Sequence, residues 1–600
     1  MSPGDPSSGS VARLTLAPTT ERRPAPVGRA RSRPGGRRRF AAAFDAPLLR
    51  LLALLVGLGA ALPFGYLVWR AHELGWVAAW EIASSDRSRT LLWNTLRLAA
   101  AVTVASVLIS VPIAWLTTRT DLPWRRFWVV VTAMPLAIPT YVGSWAVIGA
   151  LGPRGIVQGW LEPLGVTRLP PIYGFWGSFV VITLFSYPYV LLTVRAAYRR
   201  LDPSLEEASR TLGRGSFVTF VRVVLPQLRP SIMAGSLLVA LYTLSEFGAV
   251  SMLRYDTFTR AIYVQYRGAL NRNSAAVLGL MLVVLTIVVL AAEQRFRGRE
   301  QLHRLHGSGA RVPTVARLGR WRWVASSALG VLVFLALVVP LAVIGYWMWR
   351  GARFGEPVWP TLSMITNSLW ASALGATFGV LAALPVAAMV VRQPGALART
   401  VERLSWSGYA LPGVVVALAL VFFGAQRAPW AYQTIGMLVF AYTILFLPQA
   451  VGAVRASMLQ VTPSLEEASR VLGSGPSATF RRVVLPLSRP GVVAGGALVF
   501  LTCMKELPAT LLLAPTGYST LATRVWNATA EGFLARAAGP ALALVLLSSI
   551  PMAILIGREQ IGGGAIGGGA TGGGETGRQS AGSSAGKPTV GEPSGRTSTD

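Results

Sequence analysis

Blocks of apolar residues, each near 20 long, recur along this chain and constrain its fold more than any other feature. Twelve run at about 47–69, 91–116, 128–151, 175–195, 232–253, 275–292, 324–349, 367–391, 404–423, 434–454, 492–513 and 537–556. About twenty apolar residues in a helix cross a ~30 Å hydrocarbon core, where a helix satisfies its own backbone polar groups. The expected fold is an all-α membrane protein of about twelve transmembrane helices. Only 14% of the residues are charged, against about 25% in a soluble protein. The first block follows an Arg- and Pro-rich segment and has no small-residue cleavage pattern behind it, so it reads as a span and not as a secretory leader.

The net charge of +31 would suggest nucleic acid in a soluble chain. Here the arginines sit in the tails and connections, as in the run GGRRRF at 35–40. That distribution fits the positive-inside rule and a lipid bilayer, with no nucleic acid as partner. It places the N-terminus in the cytoplasm, and twelve crossings return the C-terminus to the same side. The inside segments become 117–127, 196–231, 293–323, 392–403 and 455–491. Residues 1–45 and 558–600 lack an apolar face and read as disordered tails. Gly572 and Gly577 have phosphate-loop spacing, but Arg578 stands where a Lys and then Ser or Thr are needed. Cys503 is the lone cysteine, and His72, His303 and His306 lie outside the blocks. No catalytic, cofactor or metal site is legible, and the chain does not read as an enzyme.

One stretch occurs twice. PSLEEASRTLGRGSFVTFVRVVLPQLRP at 203–230 and PSLEEASRVLGSGPSATFRRVVLPLSRP at 463–490 agree at 20 of 28 positions, 260 residues apart. The match continues outward, with Pro188 over Pro448 and Glu246 over Glu506. Six crossings separate the copies, so both face the same side and the halves are parallel repeats, unlike the inverted repeats of many secondary transporters.

Each copy reads as a helix–turn–helix outside the bilayer. Asp202 or Thr462 caps the first helix and Pro203 or Pro463 opens it; Gly213 or Gly473 stops it. A second helix is expected to end at Leu225-Pro226 and Leu485-Pro486, where proline opposes continuation. Glu207-Ala208-Ser209 and Glu467-Ala468-Ser469 give a low-relief surface that another protein can approach. The same acids also complete a capping-box pattern with Ser204 and Ser464, so a purely local role stays open.

The spacing Glu-Ala-Ser-x-x-x-Gly, then Phe220 and Leu225-Pro226, resembles the cytoplasmic signature loop of binding-protein-dependent ABC transporter permeases, and Glu467 to Pro486 repeats it. The third position is Ser where that family usually has Ala. The resemblance implies two parallel repeats of an ABC type I permease domain, at about 91–293 and 363–557. Around them lie a first helix and outer loop (46–90), a cytoplasmic linker (294–323), and a seventh helix with its outer loop (324–362). It further implies that Glu207, Ala208, Ser209, Gly213, Glu467, Ala468, Ser469 and Gly473 couple to two copies of a cytoplasmic ATP-binding subunit. An extracytoplasmic binding protein would deliver substrate, and the bacterial inner membrane would house the chain. Two domains in one chain are similar to the fused ferric-iron permeases, through LSEFGAVSML (244–253) and KELPATLLLAPTGYSTLATRVW (505–526). Fused thiamine permeases keep a second substrate class open, and a self-sufficient secondary transporter is the alternative of another kind.

Apart from Arg50 and Arg195 near block ends, the charged residues within the blocks are Arg97, Glu246, Lys505 and Glu506. A charge at mid-membrane costs about 2.5–3.5 kcal/mol on insertion scales and usually faces the bundle interior or a wet cavity. Glu246 and Glu506 hold equivalent positions, so both are candidates for the translocation pathway or its gate. A structural role, locking one helix to its neighbour with Lys505 as charge compensation, is the alternative.

Overall fold

The computed structural model describes residues 47–153, 155–166, 168–268, 273–296 and 315–564. The basic segment 1–45, most of the linker and the glycine-rich tail beyond 564 lie outside them. The described residues form helices, turns and one isolated bridge between Thr120 and Ala316. Nine helices among them are long and apolar enough to cross a membrane: Pro47–Leu74, Asp86–Arg119, Phe175–Arg199, Phe220–Ser245, Asn273–Ala292, Trp321–Arg353, Leu362–Arg392, Ile435–Met458 and Pro476–Lys505. His72, expected outside the first block, falls in the last turn of its helix. The twelfth block lies on Leu534–Ile550, within a helix that continues to Gly564.

The two remaining blocks form bent pairs: Arg125–Ala137 with Thr140–Leu164, at 91°, and Ala396–Ala410 with Gly413–Arg427, at 106°. They are the third crossing of each half. Proline sits at both bends. Ile138 and Leu411 are extended (ψ 119° and 106°) ahead of Pro139 and Pro412, because a proline ring pushes the preceding residue out of the helical region.

The second helix of each repeat does not stop at its Leu-Pro pair. Ser216–Thr219 leads through a π turn, Phe220–Val224, into Leu225–Ser245. Pro476–Thr479 leads likewise through Phe480–Val484 into Leu485–Lys505. Proline lacks the N–H for the ordinary i→i−4 bond and crowds that carbonyl. A π turn just before it changes the hydrogen-bond register, so the chain enters the span as one bent rod.

Three helices form the core of each half: Asp86–Arg119, Phe175–Arg200 and Leu225–Ser245 in the first, and Leu362–Arg392, Ile435–Met458 and Leu485–Lys505 in the second. Small residues bring these helices together, as membrane packing requires. A Cβ on Gly235 would stand 2.5 Å from Thr193 Oγ1 and 2.8 Å from Val190 Cα. Around this core the halves exchange helices. Pro47–Leu74 packs on Leu362–Arg392, Ala396–Ser405 and Gly413–Arg427 of the second half, and Val339–Arg353 packs on Thr140–Leu151 of the first.

Overpacking a tight contact costs about 1–3 kcal/mol. Gly235→Leu is therefore expected to lower the thermal midpoint of the purified protein. Gly452→Leu, at a position with open space around it, should leave it near wild type; equal midpoints for both variants would rule out the close approach.

Candidate functional site

The repeated helices Pro203–Thr211 and Pro463–Val471 stand outside the spans as two arms. Asp202 Oδ1 accepts from Ser204 N at 2.9 Å, so the first arm is capped as expected. Thr462 makes no capping bond; its hydroxyl pairs with Ser464 Oγ at 3.1 Å. Both arms end on a left-handed glycine, Gly213 at φ 78° and Gly473 at φ 84°. The following N–H groups, Arg214 and Ser474, reach back to the carbonyls of Ser209 and Ser469 at 3.3 and 3.1 Å, which satisfies carbonyls the helix end leaves free.

Residues at i, i+3 and i+7 share a helix face, and here that face is bare. Leu205 and Leu212 are 47% and 78% exposed, Leu465 and Leu472 46% and 84%, with the exposed Ala208 and Ala468 between them. Glu207 is partly exposed and Glu467 exposed. Neither closes a capping box: the N-caps are Asp202 and Thr462. The same apolar stripe is exposed in both copies. Ser209 and Ser469 face the other way. Their hydroxyls meet Thr219 Oγ1 at 3.0 Å and Thr479 Oγ1 at 3.2 Å, and so lock each arm to the helix that follows.

The acids one position earlier do something sequence reading missed. Glu206 lies 3.4 Å from Arg119, and Glu466 is ion-paired with Arg392 and lies 3.9 Å from Arg470. Arg119 Nη2 also donates to Leu201 O at 3.2 Å, and Arg392 Nη2 to Val461 O at 3.3 Å. Each arginine ends a long span and joins it to the end of the span two crossings on and to the arm. Burial pushes the Glu466 carboxyl above its ordinary value despite the pull of Arg392 and Arg470. The pair therefore acts more to fix geometry than to add stability. The sequence signal was present: Arg119 and Arg392 close equivalent apolar blocks, and both second acids lie in the repeated stretch.

Glu246 and Glu506 sit where the helices Leu225–Ser245 and Leu485–Lys505 break. Glu246 is 7% exposed. Its Oε1 accepts from Ala249 N and its Oε2 from Thr140 Oγ1, both at 2.8 Å. Thr140 begins the helix after the first bend. Glu506 Oε1 accepts from Ala509 N at 3.3 Å, but the residue equivalent to Thr140 is Gly413, where a Cβ would come within 2.6 Å of that oxygen. Glu506 stays partly exposed. Lys505 does not compensate it; Nζ crosses to the first half and donates to Leu136 O at 2.7 Å. The two carboxylates interact electrostatically, and Tyr141 with both. Capping and inter-half contact thus coexist at these acids.

A cavity of about 530 Å³ opens between the halves, lined by Tyr173, Arg254, Trp526 and Glu531 among others. Tyr173 precedes the helix Phe175–Arg200, and an arm follows its far end. At 1.5 Å per residue the 26-residue helix spans about 39 Å, so cavity and arms lie at opposite ends. Trp526 packs on Phe247, with ring centroids 5.1 Å apart, next in the chain to Glu246. Cavity, paired acids and arms follow one another through the molecule.

Residues 106–299 and 375–557 each match the family described as binding-protein-dependent transport system inner membrane component. An Fe(3+)-transport system permease protein of Haemophilus influenzae is 36% identical over 516 residues, covering 84% of this chain and 97% of its own. A ferric transport system permease protein of Actinobacillus pleuropneumoniae is 25% identical over 483 residues, 76% of this chain and 69% of its own. A putative ferric transport system permease protein of Haemophilus influenzae is 25% identical over 459 residues, with 73% and 71% covered.

Removing one partner of a buried ion pair costs about 3–5 kcal/mol. Arg392→Ala is expected to speed limited proteolysis within 459–475, and Glu466→Ala added to it should restore much of the resistance. A double variant as sensitive as Arg392→Ala would show that the pair does not hold the arm.

Proposed function

Because the chain belongs to the binding-protein-dependent transport system inner membrane components, as a fused permease with two such domains, we propose that it is the translocation subunit of an ATP-driven importer of ferric iron. The two arms carry this reading. Each presents the same apolar stripe and an acid, Glu207 or Glu467, and each is tied by Arg119 or Arg392 to the end of a span. Two copies of a cytoplasmic ATP-binding subunit would dock there, one per arm, and perform the hydrolysis. Ala208, Gly213, Ala468 and Gly473 give the close approach and the turn, while Ser209 and Ser469 hold the arm to its rod.

Closure of the ATP-binding pair would displace the arms. Each arm continues through its π turn into a rod that ends at Glu246 or Glu506, so the displacement reaches the breaks between the halves. Alternating access follows: the cavity side receives substrate from an extracytoplasmic binding protein, and the arm side releases it. Both termini lie in the cytoplasm in this arrangement. Ferric iron as cargo is supported by the relatives named for it, one of which matches along 84% of this chain.

Two measurements test this reading. Cysteines at Ser216 and Ser477 in a Cys503→Ala background should react with an impermeant reagent only after permeabilisation; labelling in intact cells would reverse the topology. Glu207→Ala with Glu467→Ala should leave insertion near normal while ferric uptake and substrate-stimulated ATP hydrolysis fall together. Wild-type uptake in that variant would remove these acids from coupling.

A further inference from the structure

We infer that Tyr141, Tyr242, Glu246 and Glu506 form a transient oxygen-donor site for the ferric ion where the two halves meet. The site deepens the proposed import of ferric iron and rests on it. Carboxylate oxygens suit hard cations, and a deprotonated phenol is a hard anionic oxygen of the same kind. Tyr141 carries the observation that points to a ligand. It is 3% exposed, and its hydroxyl is buried with no hydrogen-bond partner; its neighbour Thr140 donates to Glu246 at 2.8 Å, and Lys505, next to Glu506, reaches Leu136 at 2.7 Å. Buried hydroxyls ordinarily find a partner, so this one is left open for a ligand.

The surroundings fit a cation in passage. Tyr242 OH lies 3.2 Å from Thr140 Oγ1, which itself donates to Glu246. The ring of Tyr189 stands 5.5 Å from that of Tyr242. Tyr189, Tyr242, Tyr409 and Glu506 are all partly exposed. Lys505 donates to the Leu136 carbonyl, and among the described residues neither carboxylate is in an ion pair. Glu506 Oε1 packs against Gly413, where a Cβ would stand 2.6 Å from it.

Binding changes no oxidation state. Each phenol that ligates gives its proton to water that enters with the hydrated ion, as ligation of a protonated donor requires. Three donors come from the first half and Glu506 from the second, so relative movement of the halves takes the site apart and frees the ion. A translocation site must bind well enough to admit an ion and weakly enough to release it.

The test uses the full chain with its ATP-binding partner in lipid nanodiscs, titrated with ferric nitrilotriacetate. Wild type should develop a visible phenolate-to-iron charge-transfer band. Tyr141→Phe and Glu506→Gln should weaken iron binding by roughly tenfold or more, with the band reduced in Tyr141→Phe and uptake into proteoliposomes slowed in both. If Tyr141→Phe fails to fold, Tyr242→Phe decides by the same two readouts. Absence of the band in wild type, or a band unchanged in the Tyr→Phe variants, overturns the site. A wild-type complex that moves ferric iron without the band removes the site alone. One that moves no ferric iron removes the cargo assignment, and the site with it.

Discussion

A backbone group freed inside a hydrocarbon layer has no water to turn to, and the interior of this protein is arranged around that requirement. Its helices break at Pro139, Pro412, Glu246 and Glu506, and the breaks are brought together. Ala249 N and Ala509 N find the glutamate side chains, Thr259 and Thr510 hydroxyls close on the glutamate carbonyls at 2.6 Å, and Lys505 takes up the Leu136 carbonyl. Irregular backbone at membrane depth is tolerated only where protein or a wet cavity surrounds it. The same chemistry that repairs the breaks therefore places polar groups on the line between the cavity and the arms.

The arms obey a related economy of charge. Each offers apolar surface outward and hides one of two adjacent glutamates against an arginine at a span end. Neighbouring residues of a helix point about 100° apart, so one acid faces the core and the other solvent. The buried acid sets where the arm sits. The exposed one is free for a partner.

The fold was legible because hydrophobic length is a strong, local signal: ten of the twelve blocks lie on a helix or a bent pair, and 232–253 and 492–513 run across the breaks at Glu246 and Glu506. The repeat gave the two halves and the arms, including the glycine stops. What escaped was relational. Arg119 meets Glu206 only after the chain has crossed the layer and returned, and nothing local distinguishes Glu206 from Glu207. The Leu-Pro pairs were read as ends because proline disfavours continuation, yet the π turns supply a route around that penalty. Glu246 and Glu506 stood out by burial cost, but the hydroxyl on one and the close backbone approach to the other came from Thr140 and Gly413, distant in sequence.

The exchange of outer helices sets which movements the molecule permits. Pro47–Leu74 lies against the second half and Val339–Arg353 against the first, while each remains joined by chain to its own half. Drawing the halves straight apart would strip both helices from their apolar seats at once. Turning one half about an axis through the two seats keeps both covered. The crossed outer helices thus serve as paired bearings: they leave rocking as the soft degree of freedom and make separation the stiff one.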